Sequence, residues 1–160
     1  MKNKPKYCWD TNVFLSHFKG EAESKEPQML GVIDEIHSGR AILVVPVIVY
    51  TEMLSAKNSE KIMGQFSEFL LRPNVQVATI TLAIAKKAES IRSKGLKEKP
   101  NERVLQTPDA IFIACAITYG VDMFHSFDKA MLQLNSHPTA ECLKICSPKT
   151  KSGAMPLPRA

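Results

Sequence analysis

Short apolar runs alternate along this chain with segments of helical periodicity. Residues 41–49 are almost entirely apolar and rich in Val and Ile, which predicts a buried strand, and residues 75–80 alternate as a further strand. Three more segments, residues 6–9, 121–126 and 142–146, complete the predicted strands.

Helix-like spacing of apolar residues separates these strands. It marks residues 27–38, 62–70, 82–95 and 129–134. A further helix is predicted to start with Thr107 as N-cap, Pro108 at the first helical position and Asp109 in the first turn. Strands separated by helices predict an α/β fold, with a central parallel sheet of about five strands and helices on both faces.

Composition limits the class of protein. The chain has 160 residues, 44% hydrophobic and 23% charged, which is typical of one folded domain and unlike a disordered chain, a collagen or a coiled coil. The longest apolar runs are too short to cross a membrane, and the N-terminus does not resemble a signal peptide, so we expect a cytoplasmic protein. We expect one domain over residues 1–147 and a basic, proline-containing, mobile tail over residues 148–160.

The net charge of +5 is concentrated at the two ends of the chain, and the body between them is slightly acidic. Basic ends of this kind either keep a protein soluble or contact a polyanion, and the sequence leaves both interpretations open.

Four acids from distant parts of the chain are predicted to meet at one edge of the sheet. Asp10 and Asp128 follow strands, Glu52 opens the helix after the second strand, and Asp109 lies in the first turn of its helix. The carboxyl ends of parallel strands and the starts of the following helices share one edge, where sites form in such folds. Each acid alone could equally be a helix cap that favours the positive end of the helix dipole.

Clustered carboxylates repel one another, and a divalent cation relieves that repulsion. Ligation by oxygen alone favours Mg²⁺, or Mn²⁺ as its substitute. The sequence has no nucleophilic Ser or Cys beside a base and no glycine-rich phosphate loop, so metal-activated water is the chemistry that it predicts.

Four short motifs in order resemble those of PIN-domain nucleases, and specifically of VapC-type toxins. The motifs are Asp10-Thr11-Asn12, Thr51-Glu52, Thr107-Pro108-Asp109-Ala110, and Gly120-Val121-Asp122 leading to Ser126-Phe127-Asp128-Lys129. The resemblance covers roughly residues 6–146 and implies a PIN-like three-layer sandwich with an acidic Mg²⁺ or Mn²⁺ site. It further implies an endoribonuclease that acts on single-stranded or structured RNA, in a homodimer controlled by a partner antitoxin. Two positions depart from the family pattern: Met131 where Phe is frequent, and Ser126 where Thr is common.

We assign Asp10, Glu52 and Asp109 as the main metal ligands and as catalytic residues. Asp128 is the fourth, and either completes the same shell or belongs to a second metal site. Asn12 and Ser126 are expected to orient carboxylates and water, although each could be a turn or cap residue.

Cations near an acidic site are needed to hold RNA. The candidates are Lys97, Lys99 and Arg103, in the loop before the Asp109 helix, and Lys129. A solvated loop without a binding role is the alternative.

Two rival functions remain open from the sequence. One is a non-catalytic PIN-like module that binds RNA or a protein. The other is a phosphatase or phosphotransferase on a similar sheet, which is disfavoured because Asn12 occupies the place of the second acid in an Asp-x-Asp motif.

Overall fold

Five parallel strands form the sheet of this computed structural model, which describes residues 3–98, 105–135 and 137–153. The strands are β1 (Lys6–Trp9), β2 (Ile42–Pro46), β3 (Val75–Ala78), β4 (Met123–His125) and β5 (Lys144–Cys146), in the spatial order β3-β2-β1-β4-β5. The predicted parallel α/β sheet is confirmed.

The central strand is β1, which pairs on both sides. Tyr7 lies opposite Leu43 of β2 on one side and opposite Met123 of β4 on the other. Tyr7, Cys8 and Trp9 are fully buried. A strand buried on both faces carries apolar residues at successive positions, as in the sequence of β1.

The helices connect the strands. They are α1 (Thr11–Phe18), α2 (Ala22–Lys25), α3 (Met29–His37), α4 (Ile48–Ser55), α5 (Glu60–Leu70), α6 (Leu82–Glu98), α7 (Thr107–Thr118) and α8 (Lys129–Leu132), with a 3-10 turn at Pro138–Ala140.

Successive side chains along each strand point to opposite faces of the sheet, and helices pack against both faces. Trp9 packs against Phe14 of α1 and Phe69 of α5 on one face of the sheet. On the other face, Phe124 of β4 packs against Phe112 of α7, which in turn packs on α6. The result is the predicted three-layer sandwich.

Several predicted boundaries are wrong in detail. The second strand was expected to run to residue 49 but ends at Pro46, and α4 begins at Ile48. The first two helices were not predicted. The N-cap of α7 is Gln106, so Thr107 is the first helical residue and not the cap. Helix α6 continues past Gly95 to Glu98, because one glycine costs a helix only about 1 kcal/mol.

Residues 149–151, in the predicted tail, contact the sheet. The Lys151 backbone N–H donates to the Tyr7 hydroxyl (2.9 Å), and the Lys151 ammonium contacts Asp122 (2.6 Å). Thr150 is buried. Residues 154–160 lie outside the described residues, and the mobile tail stays a prediction.

No helix in the described part of the chain is both long and apolar enough to span a membrane.

Candidate functional site

Asp10 lies at the carboxyl end of the central strand and is buried, with 8% of the residue exposed. Its carboxylate caps α1, because Oδ1 accepts a hydrogen bond from the backbone N–H of Thr11 (2.7 Å). Oδ2 accepts from the Ser126 hydroxyl (2.7 Å) and from the Asn12 amide (2.8 Å). The three donors are neutral, and they hold this carboxylate in one orientation.

Asn12 and Ser126 also contact each other and the loop after β4. The Asn12 amide nitrogen lies 3.2 Å from Ser126 Oγ, and Asn12 Oδ1 accepts from the backbone N–H of Phe127 (3.0 Å). Ser126 Oγ accepts from the backbone N–H of Asp128 (2.9 Å). Both residues therefore contact Asp10, which is one of the predicted metal ligands.

Glu52 reaches the same edge from α4. It was expected to open that helix, which is wrong: α4 begins at Ile48, so Glu52 lies in its second turn and has no role at the helix start. The Thr11 hydroxyl donates a hydrogen bond to Glu52 Oε2. This side-chain contact joins the start of α1 to α4.

The pKa of Asp10 reports on its neighbours. It is raised from 3.8 to about 6: burial is the largest cause, the charges of Asp109 and Glu52 add to it, and the hydrogen bonds from Ser126 and Thr11 act in the opposite direction. Three predicted ligands therefore lie close enough for their charges to interact. Asp109 is in the first turn of α7, as predicted.

Asp128 is placed differently. Its Oδ1 accepts from the backbone N–H of Ala130 (2.7 Å), so its carboxylate caps α8, and the residue is exposed. Its connection to Asp10 runs through Ser126. The structure therefore shows Asp128 as a helix cap whose backbone is linked to Asp10 through the Ser126 hydroxyl.

Within the described ranges, no group of three or more His, Cys, Asp or Glu side chains has the spacing of a formed metal site. The chemistry of the set still fits a divalent cation, because a buried carboxylate with two acids nearby is costly in its ionised form. A hard cation among these oxygens would remove that cost. Asp10, Glu52 and Asp109 are the residues that could hold it.

Two of the four predicted RNA contacts lie outside the described residues. Lys97 was expected in the loop before the Asp109 helix, which is wrong, because α6 continues to Glu98 and includes it. Lys99 and Arg103 lie outside the described residues. Lys129 is exposed and directly follows Asp128.

Thr11 is the residue of this site to which the sequence analysis gave no role. The missing element was α1 itself: an Asp N-cap followed by apolar residues at Val13, Phe14 and Phe18 is a helix start signal. Recognising that helix would have placed Thr11 in its first turn, beside the capping acid.

Comparison with known proteins agrees with this architecture. The family model described as PIN domain matches residues 7–136. No curated protein sequence matches the chain significantly.

The fold is shared with solved structures, among them the following three. VapBC2 from Rickettsia felis, bound to a DNA fragment from its promoter, has a chain with a TM-score of 0.63 at 13% identity, covering 89% of this chain and 98% of that one. DNA-bound VapBC from Salmonella typhimurium gives 0.60 at 16% identity, with 89% and 98% covered. A toxin–antitoxin complex from Klebsiella pneumoniae gives 0.55 at 18% identity, with 88% and 96% covered. At these identities the likeness establishes the fold alone.

Proposed function

This chain belongs to the PIN domain family, and on that premise we propose that it is a Mg²⁺- or Mn²⁺-dependent endoribonuclease, the toxin of a toxin–antitoxin pair. The observation that carries the proposal is the buried Asp10 carboxylate, held by three neutral donors and influenced by the charges of Asp109 and Glu52. Burial among acids makes the ionised form of this carboxylate costly, and a bound cation would offset that cost.

The chain's own residues divide the work as follows. Asp10, Glu52 and Asp109 would hold the cation, and Asp128 would complete its shell or belong to a second metal site. Ser126 and Asn12 fix the orientation of Asp10 through their hydrogen bonds to Oδ2. A bound divalent cation supplies an activated water and stabilises the charge that develops on the phosphate.

RNA binding at this edge requires basic side chains beside the acids, because the carboxylates repel phosphate. Lys129 is exposed next to Asp128 and is one such candidate. Lys97, Lys99 and Arg103, in the chain that leads into α7, are the others. Contacts of this kind position the phosphate backbone and do not read sequence.

The partners follow from the structural neighbours. These neighbours are VapBC and toxin–antitoxin complexes, so a protein antitoxin is the partner that we propose for this chain. A homodimer in the cytoplasm is the assembly that the resemblance implies.

The test compares two carboxylates at opposite edges of the sheet. Asp10→Asn is expected to lower cleavage of a single-stranded RNA by about 10³-fold or more in Mn²⁺, because several kcal/mol of electrostatic stabilisation depend on the cation. The matched control is Asp122→Asn, the same substitution at a carboxylate paired with lysine. We expect that variant to retain activity within about twofold.

Other outcomes would contradict the proposal. RNA binding without cleavage, unchanged by chelation of Mn²⁺, would identify a non-catalytic binding module. Hydrolysis of p-nitrophenyl phosphate without cleavage of RNA would identify a phosphatase. Equal loss of activity in both variants would show that Asp10 acts only through stability.

A further inference from the structure

Thr11 is bonded to two of the acids at once. Its backbone N–H donates to Asp10 Oδ1 (2.7 Å), and its hydroxyl donates to Glu52 Oε2. The residue is 8% exposed. A buried hydroxyl needs a partner, and here that partner is a carboxylate that comes from another helix.

The two ends of this contact differ in rigidity. Thr is β-branched and restricted at χ1, and Thr11 sits in the first turn of α1, which Asp10 caps. Glu52 has a long, partly buried side chain with several rotamers, and ordering it costs conformational entropy. The rigid hydroxyl therefore restricts the flexible carboxylate.

The contact also links the strand ends that carry the acids. Asp10 follows β1, and Glu52 belongs to the helix that follows β2. Helices α1 and α4 pack together. Thr11 thus spans the gap between neighbouring strand ends by bonding to the acid from each.

We propose that Thr11 is a positioning residue that fixes the Glu52 carboxylate beside Asp10 for binding of a divalent cation. The inference rests on the proposed function, because it concerns the affinity of the same acidic edge for metal. Thr11 acts through Glu52: its hydroxyl holds Oε2 before the cation arrives, so binding does not have to order that side chain.

The experiment measures Mn²⁺ affinity by calorimetry on the intact protein. Thr11→Val keeps the shape of the side chain and removes the hydroxyl, and is expected to weaken Mn²⁺ binding about tenfold. Thr11→Ser keeps the hydroxyl and is expected to stay within about threefold of the wild type. Thr11→Ala replaces Thr11→Val should the latter fail to fold.

A matched control separates positioning from packing. Thr139 is also a buried threonine, 3% exposed, and its hydroxyl lies 2.7 Å from His137 Nδ1. Thr139→Val is expected to lower the metal-free melting temperature and to leave the Mn²⁺ affinity unchanged.

A double-mutant cycle with Glu52→Gln tests the route of the effect. If Thr11 acts through Glu52, then Thr11→Val costs no further Mn²⁺ affinity once Glu52 is changed. A full additional loss in that background would overturn the inference.

Failure of the inference is distinct from failure of the proposed function. A wild-type protein that binds no Mn²⁺ and cleaves no RNA would overturn both. A wild-type protein that binds Mn²⁺ and cleaves RNA, with Thr11→Val of equal affinity, would overturn the role of Thr11 alone.

Discussion

Two aspartates at opposite edges of the sheet show that the same type of side chain can serve either the stability of the fold or a candidate metal site. Asp10 follows β1 at the carboxyl edge, and Asp122 precedes β4 at the amino edge. Asp122 accepts from the backbone N–H of Lys6 (2.8 Å) and from the Lys151 ammonium (2.6 Å). The hydrogen-bond donors of Asp10 are instead neutral.

The pKa values shift in opposite directions. At Asp122, burial alone would raise the pKa, but the hydrogen bonds and charges of Lys151 and Lys6 bring it below 3.8. At Asp10, burial together with the charges of Asp109 and Glu52 raises the pKa to about 6 despite the bonds from Ser126 and Thr11. A carboxylate neutralised by the chain's own lysine stabilises the fold, whereas one left among acids costs stability and is suited to an external cation.

The largest expected effect on stability is the pH dependence that Asp10 imposes in the absence of metal. Its folded pKa lies above the unfolded value of about 3.9, so the unfolded chain ionises first and stability falls as pH rises from about 4 to 6. At about 1.4 kcal/mol per pKa unit, the loss reaches at most about 3 kcal/mol and is constant at higher pH.

Urea unfolding across this pH range checks the prediction. Asp10→Asn should not lose stability over this pH range, and at pH 7 it should be at least as stable as the wild type. Saturating Mn²⁺ should offset the loss of stability in the wild type. Asp10 would be primarily a structural cap if Asp10→Asn were much less stable than the wild type at pH 7.

The next effect in size comes from removing the segment that supplies Lys151. A chain ending at residue 147 loses the Lys151 contacts with Tyr7 and Asp122 and the burial of Thr150. At about 1 kcal/mol for the hydrogen bond to Tyr7 and about 0.5 kcal/mol for the exposed ion pair, we expect a destabilisation of about 1.5 kcal/mol. Chemical denaturation of the two chains measures it, and equal stability would mean that the contacts contribute nothing.

The smallest expected effect on stability comes from removing the ion pair between Lys151 and Asp122 alone. Lys151→Met should cost only about 0.5 kcal/mol at pH 7, because the lysine side chain is 57% exposed. It should also raise the pKa of Asp122, measured by NMR. A lowered pKa stabilises the fold above the unfolded pKa, and that effect is lost as pH falls through the folded pKa. The difference between the two chains should therefore vanish once pH is below the folded pKa of Asp122. Lys144→Met, at an exposed lysine, is the control.

Local sequence patterns were sufficient to predict the sheet, but not every element around it. The runs of Val and Ile in β2 and the apolar face of α5 carry their periodicity within a few residues, and both were predicted. The contacts of Lys151 with Tyr7 could not be, because they join residues 144 positions apart through the fold.

The candidate site shows the same limit. The edge at which Asp10, Glu52 and Asp109 lie follows from strand and helix order, and their mutual influence on the pKa of Asp10 agrees with it. The bond between Thr11 and Glu52 depends on how α1 packs against α4, which no local pattern encodes. The role of Asp128 at the start of α8 could be predicted, because the residue caps the helix that directly follows it in the sequence.

The position of β1 in the middle of the sheet has a consequence for synthesis of the chain. It leaves the ribosome before the other described strands. Asp122, which lies just before β4 and accepts a hydrogen bond from the backbone N–H of Lys6, comes 116 residues later. Until β4 arrives, one side of this apolar strand is an unpaired edge, which is a template for aggregation in a nascent chain. The acidic edge is completed by the same late event, because Ser126 follows β4 directly and bonds to Asp10 only when that strand has paired.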